Sequence, residues 1–255
     1  MNPKKISALL LGAIMILTLN CKKTGGDEQT AVQQPASKMR AVISMVLGKT
    51  VISRGSATQE VKRGTDITEA EYIQTFAGSR CVVLFSTGST LSLQENTKVK
   101  ISVFLPKGVR SEIANGSILM NVKRLTSDEE FSVGTPTAVA GVRGTKFYVR
   151  YDSATRNTRV AVKSGKVQVS PVINVNTNET VKKKLAEQIS VNIEANESVN
   201  VNQNHVNQIN NNLNRNIPGI EQGVSNNNVA SVPVVQASGS IIQKSKAAVN
   251  NVDTR

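Results

Sequence analysis

The sequence is poor in aromatic residues: it contains no tryptophan, three tyrosines and five phenylalanines. Proteins that bind single-stranded nucleic acid usually stack its bases on aromatic side chains. The 31 Lys and Arg residues outnumber 18 acidic ones, which gives a formal net charge of +13, but they are scattered along the chain. We therefore predict no nucleic-acid partner. The charge instead favours anionic lipid or phosphorylated glycan.

Histidine and cysteine are almost absent. The single histidine, His205, lies in an asparagine-rich segment, so the sequence offers neither a histidine-based triad nor a multi-histidine metal site. The acidic run 128–130 lacks the alternating ligand spacing of a calcium loop. We therefore predict a protein that is not an enzyme and holds no metal or cofactor. One of the two cysteines, Cys81, precedes an apolar run and is predicted to be an inert core thiol.

The N-terminus carries a short apolar run. Lys4 and Lys5 precede 14 apolar-rich residues, 6–19, which is shorter than the roughly 20 residues of a membrane-spanning helix. We predict that residues 1–20 are a secretory signal peptide and that 21–40 form a flexible tether. Cys21 resembles the lipid-modified cysteine of bacterial lipoproteins, in the looser pattern of spirochaetes. The alternative is an uncleaved anchor with an incidental cysteine.

The lipoprotein resemblance implies acyl groups such as palmitate on Cys21 and attachment of the protein to a membrane. Lys22, and not an aspartate, follows this cysteine. The resemblance therefore implies a location in the cell envelope, at the outer membrane.

Apolar residues alternate with polar ones through the middle of the chain. The pattern is clear in 98–103, 117–123 and 145–151, and two further alternating runs flank Ser164-Gly165. Between Ala41 and Asn202, only 65–76 has helical spacing over more than two turns. We therefore predict an all-β domain over 41–202. Glycine precedes several of these runs at irregular separations, which favours strands that turn corners at Gly48, Gly88, Gly116 and Gly165.

The composition changes after Val201, since residues 201–228 contain 11 asparagines. Val206, Ile209, Leu213 and Ile217 have helical spacing, and Pro218-Gly219 would end such a helix. We predict a low-complexity, partly helical appendage over 203–255, with a short closing helix over 241–249.

Several segments together resemble the FecR domain: GKTVISRG (48–55), GSILMNV (116–122), FSVGTPTAVAGVRGTKFYV (131–149) and TRVAVKSGKVQVS (158–170). The likeness covers about 42–201 and departs slightly at 64–67. The signature motif of the family falls on Thr135, Pro136, Ala138, Arg143, Gly144, Thr145, Phe147 and Val149. The resemblance implies a β-solenoid or roll of short strands that serves as an extracytoplasmic sensing or protein-binding module. Because no anti-sigma segment precedes the apolar run, only the binding part of the family's role is carried over.

Arg143 is the most conspicuous polar residue of that motif, because it stands between glycines in a small, apolar run. Gly-Thr-Lys opens an alternating strand there, which excludes a phosphate-binding loop. The guanidinium has five donors, so it can hold strand-end carbonyls, or a carboxylate from 126–130, at a buried corner. We expect this structural clamp, and the alternative is a ligand contact.

These observations predict a membrane-anchored lipoprotein that presents a non-catalytic FecR-like binding or sensing domain in the cell envelope or at the cell surface. Its partner would be a protein or a glycan. The alternative is a structural envelope lipoprotein that binds anionic wall or lipid polymers.

Overall fold

The computed structural model describes residues 39–68, 71–105, 108–123, 130–225, 228, 230 and 232–246. All of them belong to one compact unit, Ser37–Arg255. The strands of the first half are β1 (Ala41–Leu47), β2 (Thr50–Arg54), β3 (Ala57–Glu60), β4 (Asp66–Ile67), β5 (Glu71–Thr75), β6 (Arg80–Phe85), β7 (Thr90–Leu93), β8 (Lys98–Leu105) and β9 (Gly108–Asn121).

The second half contains both strands and helices. In chain order they are β10 (Glu130–Gly134), β11 (Ala138–Val142), β12 (Lys146–Asp152), β13 (Asn157–Ser164), β14 (Lys166–Pro171), α1 (Glu179–Gln188), β15 (Val191–Glu194), β16 (Glu197–Asn202), α2 (Gln203–Asn214), α3 (Ile217–Ser225), α4 (Pro233–Gly239) and β17 (Lys244–Lys246).

The strands form two ladders that share β9. Sheet A has the order β4-β1-β6-β7-β9-β12-β13-β16-β17, and all its pairings are antiparallel. Sheet B has the order β3-β2-β5-β8-β9-β10-β11-β14-β15 and is antiparallel except for β9–β10. The fold is therefore mostly β, as the alternation predicts. Whether it is a solenoid or roll stays a prediction.

Strand β9 passes from one ladder to the other at Gly116. Its residues up to Asn115 pair in sheet B, and those from Gly116 onward pair in sheet A. Gly116 has φ +93°, and a Cβ there would lie 2.5 Å from the Cα of Thr97. Gly48, Gly88 and Gly165, also predicted as corners, have φ of 69°, 78° and 89°. The predicted corners at Gly48, Gly116 and Gly165 are confirmed, because at each the chain passes between the sheets with a positive φ, which glycine adopts readily. Gly88 instead lies in the hairpin turn between β6 and β7 within sheet A.

The inner faces of the two sheets share one apolar core. Phe85 on β6 and Phe131 on β10 meet edge to face with ring centroids 5.6 Å apart, which joins sheet A to sheet B. The alternating residues of β12 show the pattern clearly, since Phe147, Val149 and Tyr151 are buried. In the alternating run 145–151, the apolar side chains are therefore the buried ones.

The helices depart from the sequence-based expectations in four places. Helix α1 interrupts the domain predicted to be all-β. The stretch 65–76, the one part of that domain with helical spacing, contains β4 and β5. Helix α2 is confirmed, but Pro218 does not end a helix: it is the second residue of α3, where no intrahelical partner for its missing N–H is needed. The closing helix predicted over 241–249 is wrong for its described part, because Lys244–Lys246 pair with β16 as a strand, and 247–249 lie outside the described residues.

Among the described residues, no helix combines the length and the apolar character that crossing a membrane requires.

Candidate functional site

The Thr-Pro part of the motif forms the turn between β10 and β11. The hydroxyl of Thr135 donates to the carbonyl of Ala138 (3.0 Å) and lies 2.7 Å from the Thr158 hydroxyl on β13. Thr137 lies 2.6 Å from the same Thr158 hydroxyl and donates to the Val201 carbonyl on β16 (3.0 Å). These three threonines, the threonine cluster, are buried and connect the end of sheet B to sheet A.

The Gly-Thr part of the motif forms the corner between β11 and β12. Gly144 has φ +71°. The buried Thr145 hydroxyl donates to the Lys166 carbonyl (2.9 Å), next to Gly165. Phe147 follows and is fully buried. This corner therefore depends on glycine conformations and one threonine hydroxyl.

Arg143 itself is exposed, which contradicts the expected buried clamp. The physical reason is that small residues close the corner without it, and a buried guanidinium would lose its hydration. Of the loop 126–130 that was expected to supply a carboxylate partner, residues 126–129 lie outside the described residues. A pairing with that loop, or a ligand contact, stays a prediction.

A groove of about 810 Å³ lies on the outer face of sheet B. We call it the sheet-B groove. Its floor consists of small or neutral side chains that alternate with core residues on β10, β11 and β14: Ser132, Gly134, Val139, Gly141, Gln168 and Ser170. Pro136 of the family motif and Pro171 lie along it. A Cβ added at Gly141 would meet no atom within 4 Å, so the floor is open at this point.

Helix α1 forms one wall of the groove. Its residues Glu179, Lys182, Lys183, Ala186 and Glu187 share one helical face that lines the groove. The opposite face of the helix buries Val181 and Leu185. Asn178 is the N-cap, and its side-chain oxygen accepts a hydrogen bond from the Val181 N–H (2.9 Å). The helix is thus fixed to the core and presents charges to the groove.

A buried asparagine holds the chain that leads into α1. Asn210 on α2 accepts from the Asn174 N–H (2.8 Å) and donates to the Val172 carbonyl (3.1 Å). The segment between β14 and α1 is therefore tied to α2, and the position of the α1 wall depends on the C-terminal helices.

The opposite wall comes from β5, β8 and β9. Lys98 and Lys100 lie over the ring of Tyr72, with their Nζ atoms 4.9 Å and 5.8 Å from its centroid. Arg110 and Glu112 form a loose ion pair, with 3.7 Å between Nε and Oε1. The wall thus presents an aromatic ring between charges.

Among the described residues that line the groove, basic and acidic side chains are equal in number. Its basic residues are Lys100, Arg110, Lys182 and Lys183, and its acidic residues are Glu112, Glu130, Glu179 and Glu187. Within the groove, Lys182 and Glu179 pair at 2.8 Å. Such a lining favours a ligand that is itself polar and carries both charges, over a simple anion.

Two features of the described residues bear on metal and thiol chemistry. No group of three or more His, Cys, Asp and Glu side chains there is placed to hold a metal ion. Cys81 is fully buried, as predicted, and burial raises the pKa of its thiol to about 12. A thiol with that pKa is protonated at neutral pH and is a poor nucleophile.

Sequence reasoning missed both walls of the groove and two members of the threonine cluster. The α1 wall was missed because 179–188 contains only two buried apolar residues. Thr137 and Thr158 had a detectable signal, since each lies on the buried side of an alternating strand or its turn. The lipidation candidate, Cys21, lies outside the described residues.

Comparisons with known proteins give a family for the central part of the chain. Residues 71–168, which run from β5 into β14, match the model of the family described as FecR protein. No curated protein matches the chain.

Two crystal structures of a candidate anti-sigma factor from Parabacteroides distasonis ATCC 8503 are similar to the chain. Each is 22% identical with a TM-score of 0.41, over 51% of this chain and 54% of the other. The chain thus spans about half the length of these solved chains. The family match thus covers residues 71–168, a segment that matches the FecR family and includes the whole Thr135–Val149 motif.

Proposed function

We propose that the protein is a non-catalytic binding and sensing module whose ligand occupies the sheet-B groove. The observation that supports this most is the groove itself. Its volume of about 810 Å³ is within the usual range of ligand sites. It lies within the part of the chain that matches the FecR family, apart from the α1 wall and the adjoining segment.

The ligand class follows from the lining. Strands β10, β11 and β14 are each paired on both sides, so the floor has no free edge to which another strand could add. A ligand must therefore bind through side chains that reach the walls. A polypeptide segment carrying both acidic and basic residues satisfies the charges on both walls, so we favour a protein partner over a glycan.

Anchoring through Cys21 forms the second part of the proposal. An acylated Cys21 and a flexible tether of about 20 residues would hold the domain roughly 25 Å from a bilayer, in the cell envelope and at the outer membrane. The support is the apolar run followed at once by cysteine. Mass spectrometry of the N-terminal peptide tests it, and an unmodified Cys21 would remove the anchor without affecting the groove.

Substitution of Gly141 tests the groove directly. Gly141→Val adds a side chain to the floor where an added Cβ meets nothing within 4 Å, so we expect folding to be unaffected or slightly stabilised. The probe is a phage-displayed random peptide library, panned against the full chain in detergent. We expect enriched peptides to carry both charges and to lose about tenfold or more in affinity for Gly141→Val.

The matched control is Ala57→Val, which adds a similar volume on the exposed edge strand β3. It should bind the selected peptides as the unmodified chain does. Equal binding by Gly141→Val, or the absence of any enriched peptide, would show that the groove is not the binding site.

A further inference from the structure

The outer face of sheet A carries two arginines directly opposite each other. Arg150 on β12 pairs in register with Arg159 on β13. Both are exposed, while their neighbours Val149, Tyr151 and Val160 are buried in the core. Alternation therefore places both guanidinium groups on the same outer face, on strands about 4.8 Å apart.

Donor side chains extend this row on both sides. Ser117 on β9 pairs with Arg150, and Asn200 on β16 pairs with Arg159, so the four residues lie side by side on four adjacent strands. We call them the arginine row. A hydroxyl and a carboxamide can both donate hydrogen bonds, and neither adds negative charge.

Like charges directly opposite on a sheet destabilise it. Within the described residues, no carboxylate forms an ion pair with Arg150 or Arg159. The nearest carboxylate along the strand, that of Asp152, accepts from the backbone N–H groups of Ala154 (2.9 Å) and Thr155 (3.2 Å). The hydrogen bond from Thr155 has the largest effect in lowering the pKa of Asp152. The hydrogen bond from Ala154 and the positive charge of Arg150 lower this pKa further.

The row opens at one end into a depression of about 650 Å³ that Ser117, Arg150 and Asp152 line. Its other carboxylate, that of Glu95, accepts from the Gly78 N–H (2.8 Å). Both acids of the depression are thus engaged by backbone amides. Arg150 is exposed and lies directly across the strand pair from the exposed Arg159.

We propose that the arginine row binds a phosphate group. Two guanidinium groups offer paired donors that match phosphate oxygens, and the anion would relieve the repulsion between them. This site is separate from the sheet-B groove, because it lies on the outer face of the other sheet. It goes beyond the proposed peptide-binding function and does not depend on it.

The phosphate has two possible sources, a soluble phosphate and the headgroup of an anionic lipid. Exposed apolar side chains lie near this site, which is why a lipid must be tested as well: Leu47 lines the same depression, and Met45 and Leu84 are exposed on β1 and β6 of sheet A. The shared chemistry is the phosphoryl group, and the two sources are distinguished by the probe.

The experiment uses the full chain in nonionic detergent, as the unmodified protein and as Arg150→Gln, Arg159→Gln and Arg63→Gln. Arg63 is an exposed arginine in the loop before β4, so Arg63→Gln is the matched control for loss of one charge. The first probe is inorganic pyrophosphate at constant ionic strength, measured by calorimetry and thermal denaturation. The second is phosphatidylglycerol in the micelles, compared with phosphatidylcholine.

We expect the unmodified chain and Arg63→Gln to bind at least one probe equally, and Arg150→Gln and Arg159→Gln to bind it about tenfold more weakly. Without ligand, both row variants should be at least as stable as the unmodified chain, because the repulsion is removed. Response to pyrophosphate assigns a soluble source, and response to phosphatidylglycerol alone assigns a headgroup. Equal weakening in Arg63→Gln, or no binding of either probe, would overturn the proposal.

Discussion

At the scale of single residues, buried hydroxyl groups hold the edges of the core. Thr75, Thr97 and the threonine cluster are all buried, and each hydroxyl has a partner: Thr97, for example, donates to the Ser117 carbonyl (3.1 Å) and accepts from the Ser117 N–H (2.9 Å). A threonine places one polar atom in the core and keeps a methyl group for packing. Satisfied hydroxyls can therefore join the two sheets at little cost in desolvation.

Thr158→Val tests this role. The substitution removes the hydroxyl that Thr135 and Thr137 share but keeps the volume, and we expect it to lower the free energy of unfolding by about 1–2 kcal/mol. Urea denaturation measures the change. Thr58→Val, at an exposed position of β3, is the control and should change stability by less than about 0.5 kcal/mol. If Thr158→Val and Thr58→Val changed the free energy of unfolding equally, the shared Thr158 hydroxyl would not stabilise the fold.

The contrast between Arg143 and Thr158 shows what the sequence could reveal at this scale. The family motif correctly indicated a structural role for the corner 143–145, because Thr145 and the following Phe147 are buried. The expected buried clamp was the guanidinium, because its many donors are obvious in a sequence. The partners of Thr158 lie more than 20 positions away in the chain, and no local pattern predicts which hydroxyls will meet.

At the scale of elements, the corner at Gly116 decides whether β9 can belong to both sheets. Gly116→Ala adds a Cβ at φ +93° and places it 2.5 Å from a backbone atom of Thr97. We expect a loss of about 2–4 kcal/mol in the free energy of unfolding, from strain and overpacking together. Gly141→Ala, where nothing lies within 4 Å, is the matched control and should be neutral or stabilising. A neutral Gly116→Ala would contradict the corner.

The last strand depends on a titratable contact. Lys244 on β17 pairs with Glu197 on β16 (2.9 Å), and Glu197 also accepts from the Glu194 N–H (2.8 Å). Two hydrogen bonds lower the pKa of Glu197 below its ordinary value of 4.5. The one from the Lys244 side chain has the larger effect, and the one from the Glu194 N–H has the smaller effect. A carboxylate whose pKa is lowered on folding stabilises the fold above its unfolded pKa, and that stabilisation is lost as the pH falls through the folded pKa.

We therefore expect β17 to detach first in acid. At pH 7, Glu197→Gln should mimic protonation and speed hydrogen exchange at Lys244–Lys246, while Glu60→Gln on β3 should not. A carboxyl titration by NMR should place the Glu197 pKa below 4.5. Unchanged exchange in Glu197→Gln would show that the ion pair does not hold the strand.

Elements differ in how well the sequence revealed them. Strands with one buried face, such as β12 and β13, follow from alternation alone. Helix α1 could not be predicted in this way, because one side of it is charged and faces the groove, and only Val181 and Leu185 form an apolar stripe on the other side. The register of β9 with both sheets also could not be predicted, since its pairings join segments far apart in the chain and include one parallel pair.

At the scale of the whole molecule, one core separates two different outer faces. Sheet B carries the groove with balanced charge, and sheet A carries the arginine row. The C-terminal helices contribute to the same core, since Val206, Ile209 and Leu213 are buried together with the strands. Because α2 holds the chain leading into α1, the C-terminal segment also determines one wall of the groove.

Leu213→Ala tests whether the C-terminal segment and the sheets unfold as one unit. Leu213 is fully buried, so its truncation should cost about 2–5 kcal/mol. Tyrosine fluorescence reports on the sheets, because Tyr72, Tyr148 and Tyr151 lie on β5 and β12, and far-ultraviolet circular dichroism reports on the helices. Both urea transitions should shift together, and Asn211→Ala, at an exposed position of α2, should shift neither. If the helical signal were lost first while the tyrosine transition stayed in place, 203–255 would be an independent appendage, and the α1 wall would not depend on it.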